Sequence, residues 1–304
     1  MKIEDIVQSK LRSIFNDEDL IYDKSRFAGG LTNYNYIMNI KGSEYIIRQP
    51  GGMTNQMIDR RIEKVNNRIA SELGLNSQCV YFDEISGIKI SAYIINSQNV
   101  AVSNPSKSEN LTAVSSLLKK THLSEKHFSN FFDWKIELAK YEQIVKELNG
   151  DFFYDYQSMK RDLLCFFEQN IKQTFFLPCH NDPVPENILL NDKDEAFLID
   201  WEYSGMNDPA WDIAAYILES KLGEEPIKDF LVDYYGDYPQ HEEIVKIKGF
   251  MLAQDLLWTV WALIRHYNGD DFLDYCYFRY ERFRKNMEII KHLSQYSISS
   301  IVNN

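Results

Sequence analysis

The amino-acid sequence predicts an α+β protein in two parts: a small N-terminal antiparallel β-sheet with one main helix, residues 1–97, and a larger, mostly helical C-terminal part, residues 98–304. Three observations lead there. Short strand-like runs gather early in the chain, a polar and turn-rich stretch from Asn96 to Asn110 (NSQNVAVSNPSKSEN) interrupts the pattern, and helical periodicity dominates after it. With 304 residues, 44% hydrophobic and 26% charged, the chain can bury a core, which excludes peptide-scale folds and wholesale disorder.

The elements follow in order. Ile3, Ile6, Val7, Leu11 and Ile14 sit at helical spacing and predict a short amphipathic helix. Phe27 to Ile40 and Glu44 to Arg48 predict two strands joined at Lys41-Gly42-Ser43, a hairpin. Ile58, Ile62, Val65, Ile69 and Leu73 keep the apolar period of a helix that ends at Gly74. Gln78 to Phe82 and Ile88 to Ile95 then predict further strands. Beyond the polar stretch, helices are predicted over Asp133 to Leu148, Tyr156 to Ile171, Asp208 to Leu222, Glu242 to Tyr267 and Phe272 to Leu293. A strand pair, Glu186 to Leu190 and Ala196 to Trp201, lies between the second and third of these. The tail SISSIVNN is predicted to fray.

Lysine and arginine number 33 against 45 aspartates and glutamates, a net charge of −12. Such a chain lacks the basic field of a nucleic-acid binder and suits a cationic small molecule or a metal-bridged anion. Glu4 and Asp5 occupy the start, where a secretory leader would carry a basic flank and an unbroken apolar run. The longest apolar stretch, Phe250 to Ile264, is cut by Gln254 and Asp255. No membrane insertion and a cytoplasmic protein are therefore expected. Cys79, Cys165, Cys179 and Cys276 are too scattered for a zinc pattern and are expected to be free thiols.

The chemistry concentrates in LPCHNDPVPENILLNDKDEAFLIDWEYSG, residues 177–205. His180, Asp182 and Asn187 form HxDxxxxN, and Asp200 follows at the end of an apolar strand. Two carboxylates and an amide beside strand ends can converge on a divalent cation, because magnesium takes a few hard oxygen ligands and leaves the rest to water and phosphate. Pro183 and Pro185 stiffen the intervening loop. Aspartates alone often end strands and cap turns; the whole composite favours a site.

These segments resemble the aminoglycoside-phosphotransferase and choline-kinase superfamily, a branch of the protein-kinase-like fold. More narrowly, HNDPVPENILL and IDWEYSGMNDPAWDIA are similar to bacterial choline kinases, the likeness running from Gly29 to about Tyr280. The resemblance implies a two-lobed kinase-like fold in which Asp182 orients and deprotonates an acceptor hydroxyl while Asn187 and Asp200 hold Mg²⁺. The glycine-containing run Phe27 to Asn33, with Gly29, Gly30, Thr32 and Asn33, would approach the ATP phosphates through backbone amides. Arg48 in EYIIRQPG stands where a lysine is usual, and Glu63 in DRRIEK is the matching partner; the alternative for Glu63 is a solvated charge. Residues 1–97 would then be the nucleotide-binding lobe and 98–304 the catalytic and acceptor-binding lobe.

The acceptor must be read elsewhere. Trp258 and Trp261, three apart, fall opposite Leu256, Val260 and Leu263 on a helical projection, beside Gln254 and Arg265. Indoles on that side must pack under another helix or line a cleft. The resemblance to choline kinases assigns WxxW (Trp258, Trp261), Tyr275 of LDYC and Glu219 of AAYILES to a choline pocket. A quaternary ammonium cannot donate a hydrogen bond, so aromatic faces plus one carboxylate suit it. Asp212 of DPAWDIA would brace the catalytic loop, His180 would support loop geometry, and Glu202 and Tyr203 would border the acceptor. The remaining histidines, His122, His127, His241, His266 and His292, show no metal spacing and are expected on the surface or in the core.

The expected activity is ATP- and Mg²⁺-dependent phosphorylation of choline. Kinases for ethanolamine or another small amino alcohol, aminoglycoside kinases, and a nucleotide-binding pseudokinase are the rivals. A primary ammonium would want more hydrogen-bond acceptors and less aromatic wall. A pseudokinase would lack one of Asp182, Asn187 or Asp200.

Overall fold

The computed structural model describes residues 2–30, 33–172, 174–290 and 298–302. The chain divides into two compact units, Met1–Ser97 and Gln98–Asn304.

The first unit contains α1 (Ile3–Phe15), β1 (Phe27–Gly29), β2 (Asn33–Ile40), β3 (Ser43–Pro50), α2 (Thr54–Met57), α3 (Arg60–Glu72), β4 (Cys79–Phe82) and β5 (Lys89–Ala92). Its five strands form one antiparallel sheet in the order β1-β2-β3-β5-β4. The β2–β3 hairpin closes with Ile40 opposite Ser43, and Lys41 and Gly42 have φ values of 52° and 85°. Two consecutive positive φ angles match the right-handed twist of the flanking strands. Val7 and Leu11 of α1 pack against Met38, Ile40, Ile47, Ile88 and Ile90, so the predicted amphipathic helix covers the sheet.

The face that α3 buries is not its apolar stripe. Val65 is 36% exposed, whereas Arg60, Glu63, Asn66, Asn67 and Ala70 are buried. Arg48 on β3 and Lys89 on β5 are buried too, and buried cations require a carboxylate within reach. That requirement outranks the aliphatic period. Asp59 caps the helix by accepting from the Arg61 and Ile62 amides.

The second unit runs β6 (Gln98–Asn99), α4 (Ser108–His122), α5 (Trp134–Glu147), α6 (Tyr156–Asn170), β7 (Leu177–Cys179), β8 (Ile188–Leu190), β9 (Ala196–Leu198), β10 (Gly205–Asn207), α7 (Pro209–Glu219), α8 (Glu224–Tyr235), α9 (His241–Tyr267), α10 (Leu273–Ile290) and α11 (Ile298–Val302). Its strands pair as β10-β7 and β6-β8-β9. Helix α9 is long and apolar enough to cross a membrane by length and composition, yet every residue from Ile244 to Arg265 is buried. It is the central helix, packed by α5, α6, α7 and α10. The helical projection that set the indoles opposite a core-facing side therefore misreads it, because all sides face protein.

Helices α4 and α8 and strands β7 and β10 go unpredicted by the sequence. For α4 the signal was present: Leu111, Val114, Leu117 and Leu118 are buried at helical spacing, directly after the polar stretch. The tail does not simply fray, since Ile298, Ile301 and Val302 are buried in α11. His292 and Leu293, at the end of the last long predicted helix, lie outside the described residues.

Candidate active site

The loop after β7 is held by its backbone. Asp212, in the first turn of α7, accepts from the His180 amide (2.8 Å, Oδ2) and the Asn181 amide (2.8 Å, Oδ1). Asn181 takes a left-handed conformation (φ 67°), its side chain donates to the Tyr203 carbonyl (2.9 Å) and accepts from Asn207 (2.8 Å), and its carbonyl accepts from the Trp211 indole (3.0 Å). This lattice turns the chain so that Asp182 follows a fixed bend. The expectation for Asp212 as a brace agrees with these bonds.

His180 is buried and edge-on to Trp201 at 4.7 Å. Its Nε2 donates to the Ile199 carbonyl (2.9 Å), which leaves Nδ1 to accept from the Asp182 amide (3.3 Å). Burial lowers its pKa, consistent with a neutral ring that shapes the loop.

The Asn187 amide nitrogen donates to the Asp182 carbonyl (3.0 Å) and carboxylate (3.2 Å), so its Oδ1 is left as a hard acceptor. Asp200, with φ 64°, lies just past β9. Burial pushes the Asp182 carboxyl well up, and the charges of Asp200, Glu219 and Glu202 push it further; Arg279 opposes them. Carboxylates so crowded are a destination for cations. An amide oxygen and carboxylates are the donor set that Mg²⁺ prefers, so Asn187 and Asp200 fit the ligands expected of them.

The ring groups gather in the same unit. Trp258 is edge-on to Tyr203 at 5.1 Å, and Trp261 is edge-on to Phe272 at 5.1 Å and Tyr275 at 6.3 Å. Trp258 and Trp261 are 8% and 6% exposed, while Tyr275 and Phe272 are half-buried. Burial pushes the Tyr275 hydroxyl up to about 12 against the pull of Arg279. Glu219, expected to face a ligand cation, has its Oε1 at 2.6 Å from Arg279 Nη1. Glu219, assigned by resemblance to the choline pocket, thus also pairs with a protein cation. Arg279 and Phe272 were missed by sequence reasoning; arginine four residues after Tyr275 was the available signal.

His122, expected on the surface or in the core, is a core residue. Its Nε2 meets Asp212 Oδ2 at 3.0 Å and its Nδ1 meets the Tyr234 hydroxyl at 2.7 Å, all three side chains being buried. Asp212 accepts, so Nε2 carries the proton and the Tyr234 hydroxyl donates to Nδ1. Ligand atoms of His122, Cys179 and Asp212 lie within 4.8 Å of one another. Burial raises the Cys179 thiol, which donates to the Asn207 carbonyl at 3.4 Å, and the His122 nitrogens are engaged, so the trio is a hydrogen-bond network.

In the first unit, Arg48 and Glu63 form a buried bidentate pair, with Arg48 Nη2 at 3.0 Å from Glu63 Oε2 and also donating to the Gly87 carbonyl at 3.1 Å. Arg60 Nη1 reaches Glu63 Oε2 at 2.6 Å and Lys89 Nζ lies 3.6 Å from Oε1. Although burial opposes ionisation, Arg48, Lys89 and Arg60 hold the Glu63 carboxyl at about 2. The solvated alternative for Glu63 is thereby excluded, and Arg60 and Lys89 join the cluster. Gly29 and Gly30 have φ values of 99° and 130°, and a Cβ at Gly30 would stand 1.9 Å from the Asn33 carbonyl oxygen, so only glycine fits there. Asn33 is buried; Thr32 lies outside the described residues.

A family model described as choline/ethanolamine kinase matches residues 25–246. The protein LicA of Haemophilus influenzae is 34% identical over 268 residues, covering 85% of this chain and 99% of LicA. The crystal structure of choline kinase LicA from Streptococcus pneumoniae superposes with a TM-score of 0.82 at 30% identity, covering 94% of this chain and 99% of that one. LicA in complex with AMP gives a TM-score of 0.81 at 29% identity over 95% and 99% of the two chains. The fold is thus protein-kinase-like, and the chain belongs to the choline/ethanolamine kinase family.

Proposed function

Proceeding from that membership, we propose that the protein transfers the terminal phosphoryl group of ATP to the hydroxyl of choline, giving phosphocholine and ADP, as a Mg²⁺-dependent cytoplasmic enzyme. The observation that carries this reading is that the loop bearing Asp182 is tied to the aromatic wall: Asn181, its neighbour, donates to the Tyr203 carbonyl at 2.9 Å, and the Tyr203 ring is edge-on to Trp258 at 5.1 Å. The group suited to accept a hydroxyl proton and the rings suited to a quaternary ammonium are thus joined through Tyr203.

Asp182 aligns the choline hydroxyl and takes its proton as the oxygen attacks phosphorus. Asn187 fixes the Asp182 carboxylate through its amide and, with Asp200, holds Mg²⁺, which when bound neutralises charge on the phosphate oxygens. The loop with Gly29, Gly30, Thr32 and Asn33 receives phosphate through its backbone, and Arg48, oriented by Glu63, steadies phosphate charge. Trp258, Trp261 and Tyr275 present faces and edges to the trimethylammonium group, with Glu219 nearby. The structure of LicA with AMP supports nucleotide binding by a relative of the same fold.

A coupled ADP-release assay across choline, ethanolamine, their methylated intermediates and an aminoglycoside panel tests the reading. Choline should be turned over with kcat/KM about tenfold or more above ethanolamine, the range that aromatic recognition of a quaternary cation supplies. Parity with ethanolamine, or preference for an aminoglycoside, would remove choline as the acceptor.

A further inference from the structure

We propose that Arg279 sets the acceptor selectivity of this enzyme by masking Glu219, so that a quaternary ammonium is favoured over a primary one. The inference rests on the acceptor reading above and names a residue for it.

Glu219 at the end of α7, Asp255 on α9, and Arg279 and Arg282 on α10 form a quartet with two charges of each sign. Arg279 Nη1 lies 2.6 Å from Glu219 Oε1 and 3.1 Å from Asp255 Oδ1. Arg282 meets Asp255 with Nε at 2.8 Å and Nη2 at 2.5 Å, and stands 4.0 Å from Glu219. Arg279 is 3% exposed; Glu219 Oε1 is buried and meets Arg279 as an ion pair while the Nη1 hydrogen bond goes to Asp255, and the Glu219 side chain as a whole is 21% exposed, so the pair is only partly screened by water. One helical turn after Tyr275, the Arg279 guanidinium also lies 4.9 Å from the centre of that ring. It thus occupies one side of Tyr275 and one oxygen of Glu219 at once.

The two candidate cations differ in what they need. A primary ammonium carries three N–H donors and must replace the water it loses with acceptors. A trimethylammonium group has no donor and is held by π faces and diffuse negative charge. With Glu219 Oε1 committed to Arg279, the carboxylate offers the primary ammonium less, and the fixed positive charge weighs most on the cation that depends most on a carboxylate. Arg279 covers one side of Tyr275, and Arg265 lies 5.6 Å from the centre of Trp261 and 5.1 Å from that of Phe272, so each of these rings offers a ligand its remaining face or edge; Trp258, edge-on to Tyr203, completes the aromatic wall, and Asp182, Asp200 and Glu202 add diffuse negative charge.

The test compares kcat/KM for choline and ethanolamine in the wild type, Arg279→Gln and Arg279→Lys. Loss of the charge in Arg279→Gln should raise the ethanolamine-to-choline ratio about tenfold or more, carried by a lower KM for ethanolamine. Arg279→Lys, which keeps the charge, should hold the ratio within about threefold of wild type. An equal shift in both variants, or none in an Arg279→Gln protein with native circular dichroism and Tm, overturns the proposal. Should Arg279→Gln fail to fold, calorimetric titration of the wild type decides: tetramethylammonium should bind about tenfold more tightly than methylammonium, and equal or weaker binding overturns the masking. That titration needs no turnover. A wild type that phosphorylates neither amino alcohol would sink the kinase reading while leaving the masking to be judged by binding.

Discussion

Both units hold ionic clusters, and they differ in which charge stands at the centre. In the first, Arg48, Arg60 and Lys89 gather around the Glu63 carboxylate. In the second, Glu219 and Asp255 meet Arg279 and Arg282, and the carboxylates Asp182, Asp200 and Glu202 stand in the same unit. Taking charge out of water costs free energy unless partners meet it. On the function proposed above, the cationic groups of the first serve a nucleotide phosphate and the carboxylates of the second a metal ion or an organic cation. The overall charge of −12 reveals nothing of this division, because it sums over a surface that mostly faces water.

The strongest test of the acidic side is Asp182→Asn, which keeps shape and removes the base. Turnover should fall by roughly 10³-fold, within the range that general-base catalysis contributes, while nucleotide affinity measured by calorimetry changes little. Retained turnover would break the assignment of the acidic cluster to chemistry.

On the basic side, Glu63→Gln leaves three buried cations without their carboxylate and should cost about 3–5 kcal/mol of stability in chemical denaturation. The same residue predicts a pH dependence. Its carboxyl is depressed from an ordinary 4.5 to about 2, so its contribution is complete above pH 4.5 and is lost as the pH falls toward 2. The loss is on the order of 3 kcal/mol. An acid titration whose slope in that window is the same in Glu63→Gln and wild type would show that the pair does not matter to folding.

A smaller effect separates ligand rings from packing rings. Trp258→Ala and Trp261→Ala should each raise the choline KM by about three- to thirtyfold, the size of a cation–π contact, with less change in kcat. An unchanged KM in a well-folded variant would return that indole to the core. Smallest is His122→Leu, which removes one of several donors to Asp212 and should lower kcat by about fivefold with both KM values little changed, as loss of about 1 kcal/mol of positioning through one hydrogen bond predicts. Recovery in His122→Gln, whose amide can donate in its place, would mark His122 as a positioning residue; equal losses in Leu and Gln would mark it as packing.

Legibility followed sequence separation. The β2–β3 hairpin and the loop from His180 to Asn187 depend on neighbours within a few residues, and their patterns were readable. Arg48 and Glu63 were paired through resemblance, and their bonds agree with it. Lys89, Arg279 and the His122–Tyr234 link are ordinary residues in sequence, and become part of a cluster only because distant elements meet, whereas Arg60 reaches Glu63 one turn along its own helix. The α3 stripe failed for the same reason: Ile62 and Val65 looked like a core face until the needs of Arg48 and Lys89 turned the helix.

The two-part α+β organisation and the candidates for the reacting groups were set by the sequence, because turn chemistry, apolar period and the HxDxxxxN spacing are local properties of the chain. Only tertiary structure decided which charges neutralise which. Coulomb energies depend on distance and burial, and those are known only once Asp255 on α9 and Glu219 on α7 stand against Arg279 on α10.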